Sequence, residues 1–133
     1  ECQTILPKLK NDLFEIFESC IDRNLKKIDL DWSNNQSLCI VLCSKGYPDK
    51  FINGVEIDRI NQLIIKNSDG EFLFHAGTKV INNKIFSNGG RVLNFIKASE
   101  SFKKSREDII KIINNLDWKN GFFRKDIGYK VID

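Results

Sequence analysis

Three short segments of the chain combine glycine with a cationic side chain, and these are the residues whose types and spacing favour binding of a phosphate. A glycine allows the backbone to come close to a bound group, and a neighbouring Lys or Arg donates charge-assisted hydrogen bonds to phosphate or carboxylate. Anion binding is therefore the chemistry that the sequence favours most. The segments are Phe74–Lys79, Asn88–Leu93 and Phe123–Tyr129.

Lys79 and Arg91 are the strongest candidates for contact with a substrate phosphate. Each follows a glycine-containing turn, and an Asn82-Asn83 hairpin signal lies between them. We expect this hairpin to bring the two cations onto neighbouring strands, where the backbone amides of Gly77 or Gly90 would assist them. The alternative is that Lys79 is solvated and Arg91 pairs with a nearby carboxylate.

His75 is the only histidine, which excludes a site built on two or more histidines. It is either a structural side chain, or a residue that donates a hydrogen bond to substrate or orients the turn at Gly77 and Thr78. Asp126 lies between cations and a glycine, and we interpret it as the partner of a structural ion pair with Arg124. The sequence contains no Ser-His-Asp set and no carboxylate pair with an evident acid/base role, so we assign no catalytic residue.

The composition is that of one globular domain. The chain has 133 residues, 41% of them hydrophobic and 29% charged, and no apolar run approaches the length of a membrane span. The net charge of +3 is spread along the sequence, which does not favour nucleic acid as a partner. The four cysteines lack metal-site or disulfide-scaffold spacing, and we expect them to be reduced, with three as small core residues: Cys20, Cys39 and Cys43.

Apolar periodicity predicts one amphipathic helix from Ile5 to about Asn24, capped by Thr4 and with Pro7 in its first turn. Its buried face would carry Leu6, Leu9, Leu13, Phe17 and Cys20. The polar stretch from Asp29 to Gln36 is predicted to be a linker.

The remainder of the chain predicts strands followed by a second helix. That helix starts after Ser99 or Ser101 and ends between Asn115 and Asp117, and the loop between Gly46 and Gly54 follows a buried central strand. Turns are predicted at 68–70, 82–83 and 88–90. Mostly antiparallel strands with one long packed helix indicate an α+β fold. The predicted strands are 37–44, 55–57, 62–66, 71–79, 84–87, 91–98 and a last strand within 121–132.

In this order and spacing, the three glycine and cation segments resemble the C-terminal domain of glycinamide ribonucleotide synthetase (phosphoribosylamine glycine ligase), an ATP-grasp family. Two further segments are similar to that family: Glu1–Pro7, and Ser44–Pro48 with Asn53–Ile57 after it. Asp49 departs from the family, which usually has glycine after Pro48. The absence of Met and the start at Glu1 agree with a segment taken from a longer chain.

The resemblance implies two parts. Residues 1–36 would be the C-terminal helix and linker of the ATP-grasp domain, and residues 37–133 the small β-rich C-terminal domain. The activity implied is ATP-dependent joining of glycine to 5-phosphoribosylamine in purine synthesis, in the cytoplasm, with ATP and Mg²⁺ or Mn²⁺ bound mainly outside this chain. This chain alone would be inactive, and its partner would be the rest of the ligase. The implied substrate-binding residues are Lys79, Arg91, Gly90, His75, Gly77 and Thr78.

A second hypothesis comes from a different class of protein. The chain would then be a free-standing cytosolic β-rich binding or interaction module without catalysis, and the glycine and cation segments would be only tight turns and surface charge. Neither hypothesis includes a membrane or a nucleic acid as a partner.

Overall fold

The computed structural model describes residues 1–132. A four-stranded sheet in the order β2-β5-β1-β6, with every neighbouring pair antiparallel, forms its centre. Its strands are β1 (Gln36–Ser44), β2 (Glu71–His75), β5 (Arg91–Ser99) and β6 (Gly121–Phe122), and a separate hairpin consists of β3 (Thr78–Ile81) and β4 (Lys84–Ser87). The helices are α1 (Cys2–Ile5), α2 (Leu13–Ile21) and α3 (Phe102–Leu116). The predicted α+β class is confirmed. We call residues 1–35 the N-terminal segment and residues 36–132 the body.

The core of the body lies between α3 and one face of the sheet. In the register of β1 and β5, Ile40 pairs with Phe95, and both side chains are 1% exposed. Helix α3 buries Ile109, Ile113 and Leu116 against this layer. The predicted cap is confirmed, because the Ser101 hydroxyl accepts a hydrogen bond from the Lys104 amide.

The predicted strand from Glu71 to Lys79 is two strands, because the chain turns after His75. The Ala76 and Gly77 amides donate to the carbonyls of Val92 and Arg91, which ends the ladder of β2 and β5. Strand β3 then pairs with β4 through the predicted turn, where Asn82 and Asn83 both have positive φ. That hairpin prediction is confirmed.

Other strand predictions are wrong. Residues 55–57 form a single bridge, Glu56 to Phe86, and residues 62–66 contain no strand. The tail keeps only the two residues of β6 and ends in a 3₁₀ turn, Tyr129–Val131. The turn predicted at residues 68–70 is a 3₁₀ helix, Asn67–Asp69, that ends at Gly70, and residues 88–90 connect strands of different sheets rather than a hairpin. A short apolar run forms a strand only where a neighbouring strand has free backbone groups to pair with it.

The single helix predicted from Ile5 to Asn24 is also wrong, since α1, a 3₁₀ turn (Leu6–Lys8) and α2 replace it. Pro7 cannot donate to the preceding turn, and Thr4 lies inside α1 rather than at a cap. Asp12 starts α2 by accepting a hydrogen bond from the Phe14 amide. No residue of α2 is buried, so Cys20 is exposed rather than in the core.

All four cysteines are free thiols, and Cys43 is buried while Cys39 is half-buried.

None of the helices within residues 1–132 combines the length and the hydrophobicity that a membrane span requires.

Candidate functional site

A cleft of about 720 Å³ lies on the sheet face opposite α3. Because side chains alternate across a strand, Cys39 and Val41 point away from the core layer that contains Ile40. Helix α1 forms one side of the cleft, and the turns that precede β3 and β5 form the other. We call this space the cleft, and its lining is Glu1, Gln3, Thr4, Cys39, Val41, Tyr47, Ala76, Gly77, Gly90, Arg91 and Asn94.

Gly77 and Gly90 line the cleft, and both glycines allow close packing at its wall. A Cβ on Gly77 would lie 2.7 Å from the Arg91 carbonyl oxygen, and one on Gly90 would lie 2.1 Å from Cδ2 of Tyr47. The Gly77 amide donates to the Arg91 carbonyl at 2.9 Å, so this amide is not free to bind an anion. Gly77 therefore shapes the wall instead of supplying a donor.

Arg91 lies at the mouth of the cleft as the first residue of β5, and its side chain is exposed. Among residues 1–132, its guanidinium has no salt-bridge or hydrogen-bond partner. The structure therefore does not contain the alternative arrangement in which Arg91 pairs with a nearby carboxylate. Burial raises the pKa of the Cys43 thiol, and the positive charge of Arg91 opposes that rise. Within the part of the chain that the structure describes, the Arg91 cation at the cleft therefore has no ion-pair partner.

Lys79 does not share a sheet with Arg91. It lies on β3, opposite Phe86 of β4, and its side chain is exposed and outside the lining of the cleft. The expectation that neighbouring strands bring the two cations together is wrong, because the hairpin of β3 and β4 forms its own two-stranded sheet.

His75 and Thr78 lie on either side of the turn that contains Gly77. The Nδ1 atom of His75 and the Oγ1 atom of Thr78 are 3.0 Å apart, a hydrogen bond whose direction depends on the imidazole tautomer. Neither residue lines the cleft. Their contact spans the turn, as expected if His75 orients it.

Gln3 and Asn94 are cleft residues that sequence reasoning missed. Asn94 is 7% exposed, and its side-chain amide donates to the Gln3 side chain at 2.6 Å. This bond joins α1 to the sheet across the cleft. The available signal was a polar Asn within the apolar run from Val92 to Ile96, since a buried amide needs a partner.

Tyr47 was singled out only as part of a loop, and its ring covers Gly90 at the cleft wall. The loop follows β1, and the Gly89 amide holds it by donating to Asn53.

Arg124 and Asp126 form the ion pair that the sequence predicted. Two guanidinium nitrogens of Arg124 donate to the two carboxylate oxygens of Asp126 at 3.1 and 2.7 Å. The Arg124 hydrogen bonds lower the pKa of the Asp126 carboxyl. Both side chains are exposed and next to the turn at Gly128.

No cluster of three or more His, Cys, Asp or Glu side chains suited to a metal ion occurs within residues 1–132.

Comparisons with known proteins agree with one another on one family. The family model described as "Phosphoribosylglycinamide synthetase, C domain" matches residues 37–130. A phosphoribosylamine–glycine ligase of Fusobacterium nucleatum is 35% identical over 128 residues, which are 96% of this chain and 30% of the relative. A bifunctional purine biosynthetic protein of Dictyostelium discoideum is 40% identical over 134 residues, which are 100% of this chain and 16% of the relative.

A crystal structure of phosphoribosylamine–glycine ligase from Thermotoga maritima shares the fold, with a TM-score of 0.60 and 21% identity over 84% of this chain and 27% of that one. The chain thus spans about 30% of the length of the single-function ligases that it resembles.

Proposed function

The chain belongs to the phosphoribosylglycinamide synthetase C-domain family, and on this basis we propose that it serves as the C-terminal part of an ATP-dependent ligase that joins glycine to 5-phosphoribosylamine. The products would be glycinamide ribonucleotide, ADP and phosphate, in purine synthesis in the cytoplasm. The observation that supports this most directly is the family match over residues 37–130, together with relatives that are named as this ligase.

In the proposed reaction, the γ-phosphoryl group of ATP passes to the glycine carboxylate, and the phosphoribosylamine nitrogen attacks the resulting acyl phosphate. Phosphate leaves and the nitrogen loses a proton. We propose that ATP and Mg²⁺ or Mn²⁺ bind mainly to the rest of the ligase chain, which is the partner in this proposal. The chain alone would then be inactive. Its own contribution is to orient the sugar phosphate and keep water from the acyl phosphate.

The proposal gives each site residue a role. Arg91 binds the substrate phosphate at the mouth of the cleft, where its guanidinium lacks a protein partner within the described residues. Gly90 and Gly77 form the wall that the substrate lies against. His75 and Thr78 hold the turn behind that wall. Lys79 is a second phosphate contact, with weaker support because it lies outside the lining of the cleft.

The domain boundary is also part of the proposal. Residues 37–133 form one wall of the active site, while residues 1–36 belong to the ATP-grasp domain and reach the cleft through α1. The hydrogen bond from Asn94 to Gln3 supports a contact between the two parts at the cleft.

A chimeric ligase tests the function. The matched region of the Fusobacterium nucleatum relative is replaced by this chain, and both ligase activity and calorimetric binding of glycinamide ribonucleotide are measured. We expect activity in the chimera and none in the isolated chain. A folded chimera that neither binds the nucleotide nor forms it would contradict the proposal.

Arg91→Ala in the chimera tests the site. Loss of a charge-assisted contact should weaken binding by about 10- to 100-fold, and Lys79→Ala should have a smaller effect. Arg59→Ala is the matched control, because Arg59 is exposed and pairs with Asp117 at 3.4 Å, away from the cleft. Unchanged affinity in Arg91→Ala would refute the role of Arg91 and leave the family membership intact.

A further inference from the structure

Helix α2 has an apolar side that the body does not cover. Phe14, Phe17 and Ile21 are 65%, 56% and 80% exposed, and Leu25 in the following 3₁₀ turn is 45% exposed. We call these four residues the α2 face. Glu15 lies on the other side of the helix, about 100° or more around the axis from Phe14, Phe17 and Ile21, whereas Glu18 is one turn from Phe14 and borders this face.

The α2 face is large for a chain of this size. With about 200 Å² for a fully exposed large apolar side chain, its four residues expose roughly 490 Å², an area that often marks a contact surface. The helix nevertheless has a well-formed start, since Asp12 caps it at 2.7 Å. The α2 face is therefore an exposed apolar surface on a well-formed helix.

We propose that the α2 face packs against the part of the ligase that the relatives carry outside the matched region. This inference rests on the proposed function. Two observations select this occupant: the ligases are about three times as long as this chain, and α1 rather than α2 makes the main contacts of the N-terminal segment with the strands of the body.

A second copy of the chain is a weaker occupant on grounds of area. Two α2 faces in contact would bury roughly 980 Å² in total, below the range of about 1,200–2,000 Å² for stable interfaces between separate chains. A contact within one polypeptide needs no such area, because the linked segments are held at high effective concentration.

Cys20 provides a natural probe for this interface. It lies between Phe17 and Ile21 in α2 and is exposed in this structure. Maleimide labelling of Cys20, located by mass spectrometry, is compared between the isolated chain and the chimeric ligase. We expect labelling to be at least about tenfold slower in the chimera, because covered residues react only during local opening. In the matched control, Glu15→Cys with Cys20→Ser, the thiol is on the other side of α2 and should react at equal rates in both proteins.

The outcomes test the interface at the α2 face separately from the proposed ligase activity. A protected Cys20 in an inactive chimera supports the interface although the proposed function fails. An accessible Cys20, whether the chimera is active or not, overturns the interface. Protection that appears in the isolated chain as its concentration rises would also overturn it, in favour of a second copy. Replacing Phe14 and Phe17 by Ala in the chimera should restore labelling, whereas Ile64→Ala, at a side chain 78% exposed outside α2, should not.

Discussion

Helices α2 and α3 both have an apolar side at helical spacing, but they use it differently. Helix α3 buries Ile109, Ile113 and Leu116 against the sheet, while no residue of α2 is buried. The polar contacts differ in the same way. Lys97 of the body is buried and contacts the largely buried Glu71 carboxylate, whereas Lys10 and Asp31 of the N-terminal segment form an exposed pair. Apolar periodicity therefore predicts which side of a helix will be covered, but not which part of the protein covers it.

The largest effect that tests this contrast is the removal of an aromatic ring from each region. Phe95 is 1% exposed, so Phe95→Ala should lower the free energy of unfolding by about 3–5 kcal/mol through lost burial and a cavity. Phe17 is 56% exposed, and Phe17→Ala in the isolated chain should change the free energy of unfolding by less than about 0.5 kcal/mol. Urea unfolding followed by circular dichroism and by the fluorescence of Trp32 and Trp118 measures both.

If Phe95→Ala does not fold, Phe95→Leu should retain the fold with a smaller loss. A cost above about 1.5 kcal/mol for Phe17→Ala would break the comparison, because it would mean that α2 packs on the body of the isolated chain.

Removal of a lysine from each region should give the next largest effect. Lys97 contacts the Glu71 carboxylate at 3.3 Å and the Asp69 carbonyl at 2.9 Å, and its side chain is 8% exposed. Lys97→Ala leaves Glu71 without its partner in a mostly buried site and should cost about 3 kcal/mol of unfolding free energy. Lys10→Ala removes a pair whose side chains are more than half exposed, and should cost less than about 1 kcal/mol.

Salt distinguishes the two lysine contacts as well. Raising the ionic strength to 1 M should remove most of the Lys10 effect in urea unfolding and leave most of the Lys97 effect, because buried pairs are screened less. Equal costs for the two substitutions would contradict the distinction between a buried and an exposed pair.

The same contrast explains which parts of the fold the sequence predicted. Strands β1 and β5 and helix α3 followed from continuous apolar patterns and from Ser101 as a cap, all local signals. The predicted N-terminal helix failed because its spacing continued across residues that end or start helices: Pro7 and Asp12. The strand predicted at residues 62–66 failed because local pattern does not reveal whether a pairing partner is available.

The candidate site was predictable to a similar extent. Arg91 and Gly90 were found because glycine beside a cation is a local signal, and both line the cleft. The bond between Gln3 and Asn94 joins residues far apart in the chain, so no local pattern contains it. The error at Lys79 has the same origin: a hairpin signal predicts that β3 pairs with β4, but not which sheet the hairpin joins.

The smallest expected effect concerns the thiols of the two regions. Burial raises the pKa of the Cys39 thiol, with the Thr4 side chain offsetting part of the rise, and burial likewise raises the pKa of Cys43. Cys2 and Cys20 of the N-terminal segment are exposed. Because the thiolate is the reactive form, iodoacetamide at pH 8 should modify Cys39 and Cys43 roughly tenfold more slowly than Cys2 and Cys20, and urea should make the four rates similar.

These raised pKa values also predict how stability depends on pH. The folded state keeps protons on Cys39 and Cys43 at a pH where the unfolded chain has begun to lose them, above about 8.5. The contribution of the two thiols to the free energy of unfolding is therefore fully present below the thiol pKa of the unfolded chain. It is lost as the pH rises through the thiol pKa values of the folded state. Urea unfolding at pH 7.5 and 9.5 should show a larger loss for the natural chain than for a Cys39→Ala, Cys43→Ala variant. An equal loss in the two proteins would mean that the sheet face bearing these thiols is as open to water as α2, and the contrast between the body and the N-terminal segment would then hold only for the layer under α3.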